Sequence, residues 1–165
     1  MNISTNILDS IKKESEFKSL VSSVNEKNAQ KAPMIVSGLC EGARSAFLAA
    51  LVEELESKKP ALIIVHDEKS CARLAESLRV YGINPATYLP RDFVLQNAVA
   101  SHDFEHERLD TLIGLISNEY DVVIATADAA LQYTMPREIL KDRIRTIRSS
   151  DEYDPDEICQ YLTSC

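Results

Sequence analysis

Residues 34–47 read MIVSGLCEGARSAF, and how this stretch folds decides what kind of protein the chain makes. The run MIVS reads as a strand, Gly38 and Gly42 follow it, and a helical pattern opens at Ala43 and continues to Ser57. A strand, a glycine turn and a helix N-terminus in that order form the start of a phosphate-cradling loop, where backbone N–H groups and the helix dipole face an anion. A working loop of that kind reads G-x-x-x-x-G-K-[ST]: the lysine reaches the outer phosphates and the hydroxyl takes magnesium. The residues here are Gly38, Leu39, Cys40, Glu41, Gly42, Ala43, Arg44 and Ser45. One residue is missing between the glycines, Ala43 stands where the lysine should be, and Glu41 brings a carboxylate to the phosphate position. Arg44, one place further on, has a planar guanidinium that does not replace a compact ammonium. At an effective dielectric near 20, repulsion between Glu41 and a polyphosphate costs about 1 kcal/mol or more. The four residues Gly38, Gly42, Arg44 and Ser45 are therefore read as a degenerate phosphate loop, a tight turn kept for packing, with no nucleotide cofactor.

Outward from the turn, apolar runs alternate with amphipathic stretches. ALIIVH (61–66) reads as a strand, 68–81 as a helix, ATYL (86–89) as a short strand, 89–100 as irregular, 103–116 as a helix and DVVIAT (121–126) as a strand. The stripes are Phe47, Leu48, Leu51, Val52 and Leu55 on the first helix, Cys71, Leu74, Ala75 and Leu78 on the second, and Leu109, Leu112, Ile113 and Ile116 on the third. Continuous apolar strands between such helices imply a mostly parallel sheet covered on both faces, an α/β sandwich of three layers. Before this core, Phe17, Leu20, Val21 and Val24 mark a leading helix within 3–24, closed by the polar run NEKNAQKAP. After it come the short helical piece ADAALQY, a helix start at Pro136, RIRTIRS (143–149) as a last strand, and a helix over 154–165 with Ile158 and Leu162 on one face. That helix pattern has no stop signal and reads as truncated. The expected division is 1–32 as helix and linker, 33–147 as the α/β core, and 148–165 as the start of another domain.

Composition narrows the function. The chain has 165 residues, 45% of them apolar, enough for one domain-sized core, and a net charge of −8. That charge argues against nucleic-acid binding by these residues alone, since such binding needs a basic footprint. No run reaches the length of a membrane span and no signal peptide opens the chain, so the expectation is a cytoplasmic protein without membrane contact. Four cysteines with no CxxC spacing read as reduced, packed thiols. Asp67 and Glu68, after an apolar strand, imitate the magnesium carboxylates of ATPases, but Asp67 equally suits the N-cap of the helix that follows, with Ser70 a second candidate, and that reading is favoured. His102 and His106 have metal-gripping i, i+4 spacing, with Asp103, Glu107 and His66 as conceivable partners; a solvated helix start is the simpler account. No metal and no catalytic residue is assigned.

The order of these pieces resembles a known family. LIIVHDEKSCARLAESLRVYG, LPRDFVLQNAVASHDFEHERLDTLIGL and DVVIATADAALQYTMP, with the glycine turn before them, resemble the N-terminal module of bacterial transcription-repair coupling factors (Mfd). That module is itself similar to the excision-repair helicase UvrB. The most specific residues are Leu89, Pro90, Asp92, Ser101, Glu107, Arg108, Leu109 and Leu112. The resemblance implies a RecA-like, P-loop-NTPase-like fold whose phosphate loop has degenerated. It also implies a non-catalytic scaffold that supports recruitment of the repair protein UvrA and restrains the motor of a longer, ATP-driven DNA translocase. Contacts with UvrA and RNA polymerase are expected in other parts of that longer protein. The rival expectations are an active P-loop nucleotidase or kinase using residues 38–45 with Asp67 or Glu68 on magnesium, and a DNA-holding helicase lobe.

Overall fold

The computed structural model describes residues 3–26, 33–57, 59–90, 103–150 and 152–164. Two compact units divide at Gln132, Met1–Gln132 and Tyr133–Cys165. In the first, the elements are α1 (Ile3–Lys13), α2 (Ser15–Asn25), α3 (Glu41–Glu53), β1 (Ala61–Val65), α4 (Glu68–Val80), β2 (Pro85–Tyr88), α5 (Asp103–Ile116), β3 (Val122–Thr126) and α6 (Ala127–Leu131).

The strands form an open, all-parallel sheet in the order β1-β3-β2. Central β3 is buried along its whole length, as VVIAT, a continuous apolar run, requires of a strand covered on both faces. Its side chains alternate between two cores. Val122 and Ile124 join Cys71, Ala75 and Leu78 of α4 and Ala46, Ala49 and Ala50 of α3. Val123 and Ala125 join Tyr88, Ala129 of α6, and Leu112 and Leu115 of α5. Helices therefore cover both faces, which gives the expected α/β sandwich. The N-terminal ends of the strands are tied by Asp121: its carbonyl accepts from Ala61 N–H at 2.9 Å and its carboxylate from Asn84 N–H at 2.8 Å.

Helix α4 shows how sequence sets local structure. Asp67 takes extended dihedrals and its carboxylate accepts the Ser70 N–H at 2.6 Å, so it is the N-cap, as read from the sequence. At the other end Gly82 adopts φ +84°, its N–H reaches Arg79 O, and Ile83 N–H reaches Leu78 O. This left-handed glycine stop places apolar Ile83 against the helix end, where it is buried.

Several expectations change. The leading helix is two helices, because Glu14 is extended (ψ 138°) and turns the chain between them. Leu8 of α1 and Phe17 of α2 both reach the core, and Phe17 meets Phe47 edge-on at 5.6 Å between centroids. MIVS is not a strand: residues 33–40 have no regular structure, and Ile35 is 92% exposed. An apolar run becomes a strand only where a neighbour accepts its backbone groups, and no described strand pairs with this run. Helix α3 starts at Glu41, not Ala43, and buries its alanines, while Phe47, Leu48, Leu51 and Val52 are half-buried around them. Small residues allow α3 to lie close to α1 and α4, both of which it packs against. On α5 the buried face is turned from the expected one: Arg108 and Thr111 are buried, and Leu109 is 38% exposed.

The second unit has α7 (Arg137–Asp142), which follows the expected start at Pro136, and α8 (Pro155–Ser164). RIRTIRS is not a strand either; 144–148 are irregular. The Tyr153 hydroxyl organises them, accepting Arg148 N–H at 3.1 Å and donating to Thr146 O at 3.3 Å. The Arg145 guanidinium lies 5.0 Å from the Tyr161 ring centre, within cation–π range.

Candidate functional site

In open α/β sheets ligands sit in the crevice beyond the C-terminal ends of the strands. Here a groove of about 420 Å³ runs along β1 to its C-terminal exit, lined by Glu41, Arg44, Ser45 and Leu48 of α3, by Ile63, Ile64, Val65 and His66 of β1 and its exit, and by Ser70, Arg73, Leu74 and Ser77 of α4. On α3 the lining residues are spaced i, i+3, i+4, i+7, one stripe of the helix. Of the four degenerate-loop residues, the structure brings Arg44 and Ser45 to the groove and leaves Gly38 and Gly42 out of its lining. Gly38 makes the turn, with φ +82°, a conformation that side chains rarely adopt. Gly42 lies inside the first turn of α3, after the N-cap at Cys40.

The helix start is what separates this arrangement from a phosphate cradle. The first N–H groups of α3 form the positive end of its dipole, and Glu41 already places a carboxylate in that turn. Among the described residues no lysine lines the groove, and the guanidiniums of Arg44 and Arg73 do. Asp67, the alternative magnesium ligand, is engaged elsewhere. One carboxylate oxygen caps α4 and the other lies 2.9 Å from His66 Nε2. Hydrogen bonding from Ser70 N–H holds the Asp67 carboxyl below its ordinary value, with smaller help from His66 and Arg73.

This shift gives a pH prediction. A carboxyl lowered by folding contributes stability above its unfolded value, near 4, and loses it as pH falls through the lower folded value. Asp67→Asn keeps an N-capping oxygen and removes the titration. Urea midpoints measured from pH 6 down to pH 2 should therefore fall less steeply in Asp67→Asn than in the native chain. Parallel curves would show that the cap does not contribute to acid sensitivity.

A second cluster involves the family-motif residues. Arg108 of α5 is 4% exposed; its Nη1 donates to Leu89 O and its Nη2 to the Tyr88 hydroxyl at 2.5 Å. Its guanidinium carbon also stands 4.0 Å from the Tyr88 ring centre. Thr111 Oγ1 sits 3.2 Å from Thr87 O and 3.0 Å from Glu107 O. Together they clamp α5 to the exit of β2, so Leu89 and Arg108 meet while Glu107 and Leu109 are exposed. Asp92, Ser101 and His102 lie outside the described residues, as does most of the irregular stretch 89–100. His106 is exposed, and among the described residues no three His, Cys, Asp or Glu side chains are grouped to hold a metal. The buried role of Arg108 and Thr111 is absent from the apolar stripe read on this helix. The available signal was a motif arginine one residue before an apolar position.

Fold and site together define a class: a three-layer α/β domain with a parallel sheet, whose first glycine turn feeds a helix that borders a groove along β1. Along 95% of its length the chain is 27% identical, over 160 residues, to the transcription-repair-coupling factor of Bacillus subtilis (strain 168). This match supports the resemblance read from the sequence, that of an N-terminal fragment of a transcription-repair coupling factor. The chain spans 13% of that relative's length. No family model and no solved structure matches it. Among the described residues no helix is long and apolar enough to cross a membrane.

Proposed function

We propose that residues 1–165 act in transcription-coupled DNA repair as a non-catalytic, RecA-like mount belonging to a longer coupling factor. The observation that carries the non-catalytic reading is Glu41 in the first turn of α3, where a nucleotide's phosphates would have to sit, with no ammonium group among the described residues of the groove wall. The similarity to a coupling factor over nearly the whole chain supports the repair context. In this reading residues 33–147 supply the rigid sheet, and 148–165 lead into a module that recruits UvrA. The assembled module restrains the motor until it engages stalled RNA polymerase. The translocase chemistry, the polymerase contact and the UvrA contact belong to other parts of the longer protein. These residues bind no nucleotide and no nucleic acid alone, and they work in the cytoplasm.

A chimera tests this. The matching segment of the Bacillus subtilis factor is replaced by residues 1–165, and preferential repair of transcribed strands is measured in cells. The chimera should restore it, and adding Arg44→Ala with Ser45→Ala should change nothing. A chimera that accumulates normally but gives no strand preference contradicts the coupling role. Loss of repair in the double variant alone contradicts the non-catalytic one.

A further inference from the structure

Helix α3 ends on acids. Glu53 is its last residue, Glu54 follows as the C-cap and Glu56 stands two places on, while its last turn holds no basic residue. Carboxylates at the negative end of a helix dipole weaken the last turn unless cations and donors reach it. Both are supplied by the two N-terminal helices. The Lys12 ammonium, in the last turn of α1, lies 2.8 Å from a carboxylate oxygen of Glu53 and 2.8 Å from one of Glu54. Asn25, the last residue of α2, donates from Nδ2 to Glu54 O at 2.8 Å and accepts the Glu56 N–H at 3.2 Å. The rest of the hold is small. Among the described residues of α1 and α2, Leu8 and Phe17 are the buried side chains, and Phe17 meets Phe47 of α3. Helix α1 packs on α2 and on α3, and α3 packs on α4, which covers the strands. The charged part of the fastening is partly open to water. The side chains of Lys12, Glu53 and Glu54 are 26%, 37% and 41% exposed, so dissolved salt screens it.

We propose that α1 and α2 form a releasable strap, fastened at the C-terminal end of α3 by Lys12 and Asn25, that lifts from α3 as one piece while the sheet stays folded. A segment held by few buried apolar contacts and by exposed ion pairs opens at lower free energy than a closed core, here the one around Leu78 and Ile124. The two helices leave together because each carries one half of the fastening and each packs on the other. Release removes the cation and the cap from the last turn of α3 at once, so that turn frays with the strap. It also bares Phe47 together with the acidic end of the helix. Ionic strength is the input that this device reads, since screening weakens Lys12 on its two carboxylates and leaves the apolar core intact. This inference stands whether or not the repair reading does.

Amide hydrogen exchange of the whole chain tests it. In the native chain the amides of α1 and α2 should exchange at one common rate, about tenfold or more faster than those of β3 and α4. Raising sodium chloride from about 0.05 to about 0.5 M should speed α1 and α2 about threefold and leave β3 unchanged. Lys12→Glu with Asn25→Ala should speed α1, α2 and residues 51–54 about tenfold, again without β3, and should abolish the salt effect. Adding Glu53→Lys and Glu54→Lys to Lys12→Glu should restore protection of α1 and α2. Exchange of α1 and α2 as slow as that of β3 in the native chain overturns the proposal, and so does an equal acceleration of β3 in the double variant. A native chain whose α1 and α2 ignore salt overturns the electrostatic fastening. Unchanged exchange of 51–54 in the double variant overturns the coupling to α3.

Discussion

Ile124→Ala is expected to lower unfolding stability by about 3–4 kcal/mol, because it removes most of a fully buried side chain from the central strand and leaves a cavity. Ile124 pairs on both sides, with Ile63 and Thr87, and faces Cys71, Ala75 and Leu78. Domains of this size are stable by about 5–15 kcal/mol, so the variant should lose a large share of its stability and its urea midpoint should fall accordingly. Ile63→Ala is the comparison that makes the result specific. Ile63 sits on the same face one strand over but is only half-buried, beside the open edge. Its loss should cost less than half as much. Equal losses would mean that β1 is as enclosed as β3, contrary to the sheet order described above.

Arg108→Ala is expected to cost about 3 kcal/mol. The guanidinium is buried, and its removal leaves Leu89 O and the Tyr88 hydroxyl without their donor in a place water reaches poorly. Hydrogen bonds from a charged donor contribute roughly 1.5–3 kcal/mol each, and a buried group left unsatisfied costs about as much. Arg108→Lys should recover only part of the loss. One ammonium cannot reproduce the forked geometry that serves a carbonyl and a hydroxyl while stacking on the Tyr88 ring. Chemical denaturation measures both variants. A loss under about 1 kcal/mol for Arg108→Ala would mean that the clamp between α5 and β2 is ornamental, and the motif residues around it would need another explanation.

These two sites also show what the sequence makes legible. The period of the apolar residues identifies β1, α4, α5 and β3 almost to the residue, because each buries a continuous run or a single stripe. Asp67 and Gly82 mark the ends of α4 through local chemistry that needs no tertiary information. Arg108 is different. A charged residue on a helix reads as solvent-facing, and only its tertiary partners, Tyr88 and Leu89, make burial favourable. The face of α5 is consequently misread by about one residue, toward Leu109. MIVS and RIRTIRS fail for another reason. Their composition suits a strand, but a strand is a pairing, and neither run has a partner among the described strands. On α3 the large apolar residues attract attention, whereas close helix packing buries Ala46, Ala49 and Ala50 instead.

The groove is legible in part. Arg44 and Ser45 stand out in the sequence as the remnants of a phosphate loop, and the structure sets them on its wall. Arg73 and Ser77, on the next helix, do not stand out, because nothing in their spacing refers to α3. Glu41 is visible as a misplaced acid, but its position in the first turn of α3, at the positive end of the helix dipole, depends on the helix starting two residues earlier than its pattern suggests.

The central claim is that this helix start, with its own carboxylate and no lysine, does not hold a nucleoside triphosphate. Calorimetric titration of the chain with magnesium ATP tests it most directly. The expected result is no saturable heat, or a Kd weaker than about 1 mM, corresponding to less than about 4 kcal/mol of binding free energy. A saturable isotherm with a micromolar Kd, abolished by Arg44→Ala with Ser45→Ala, would contradict it.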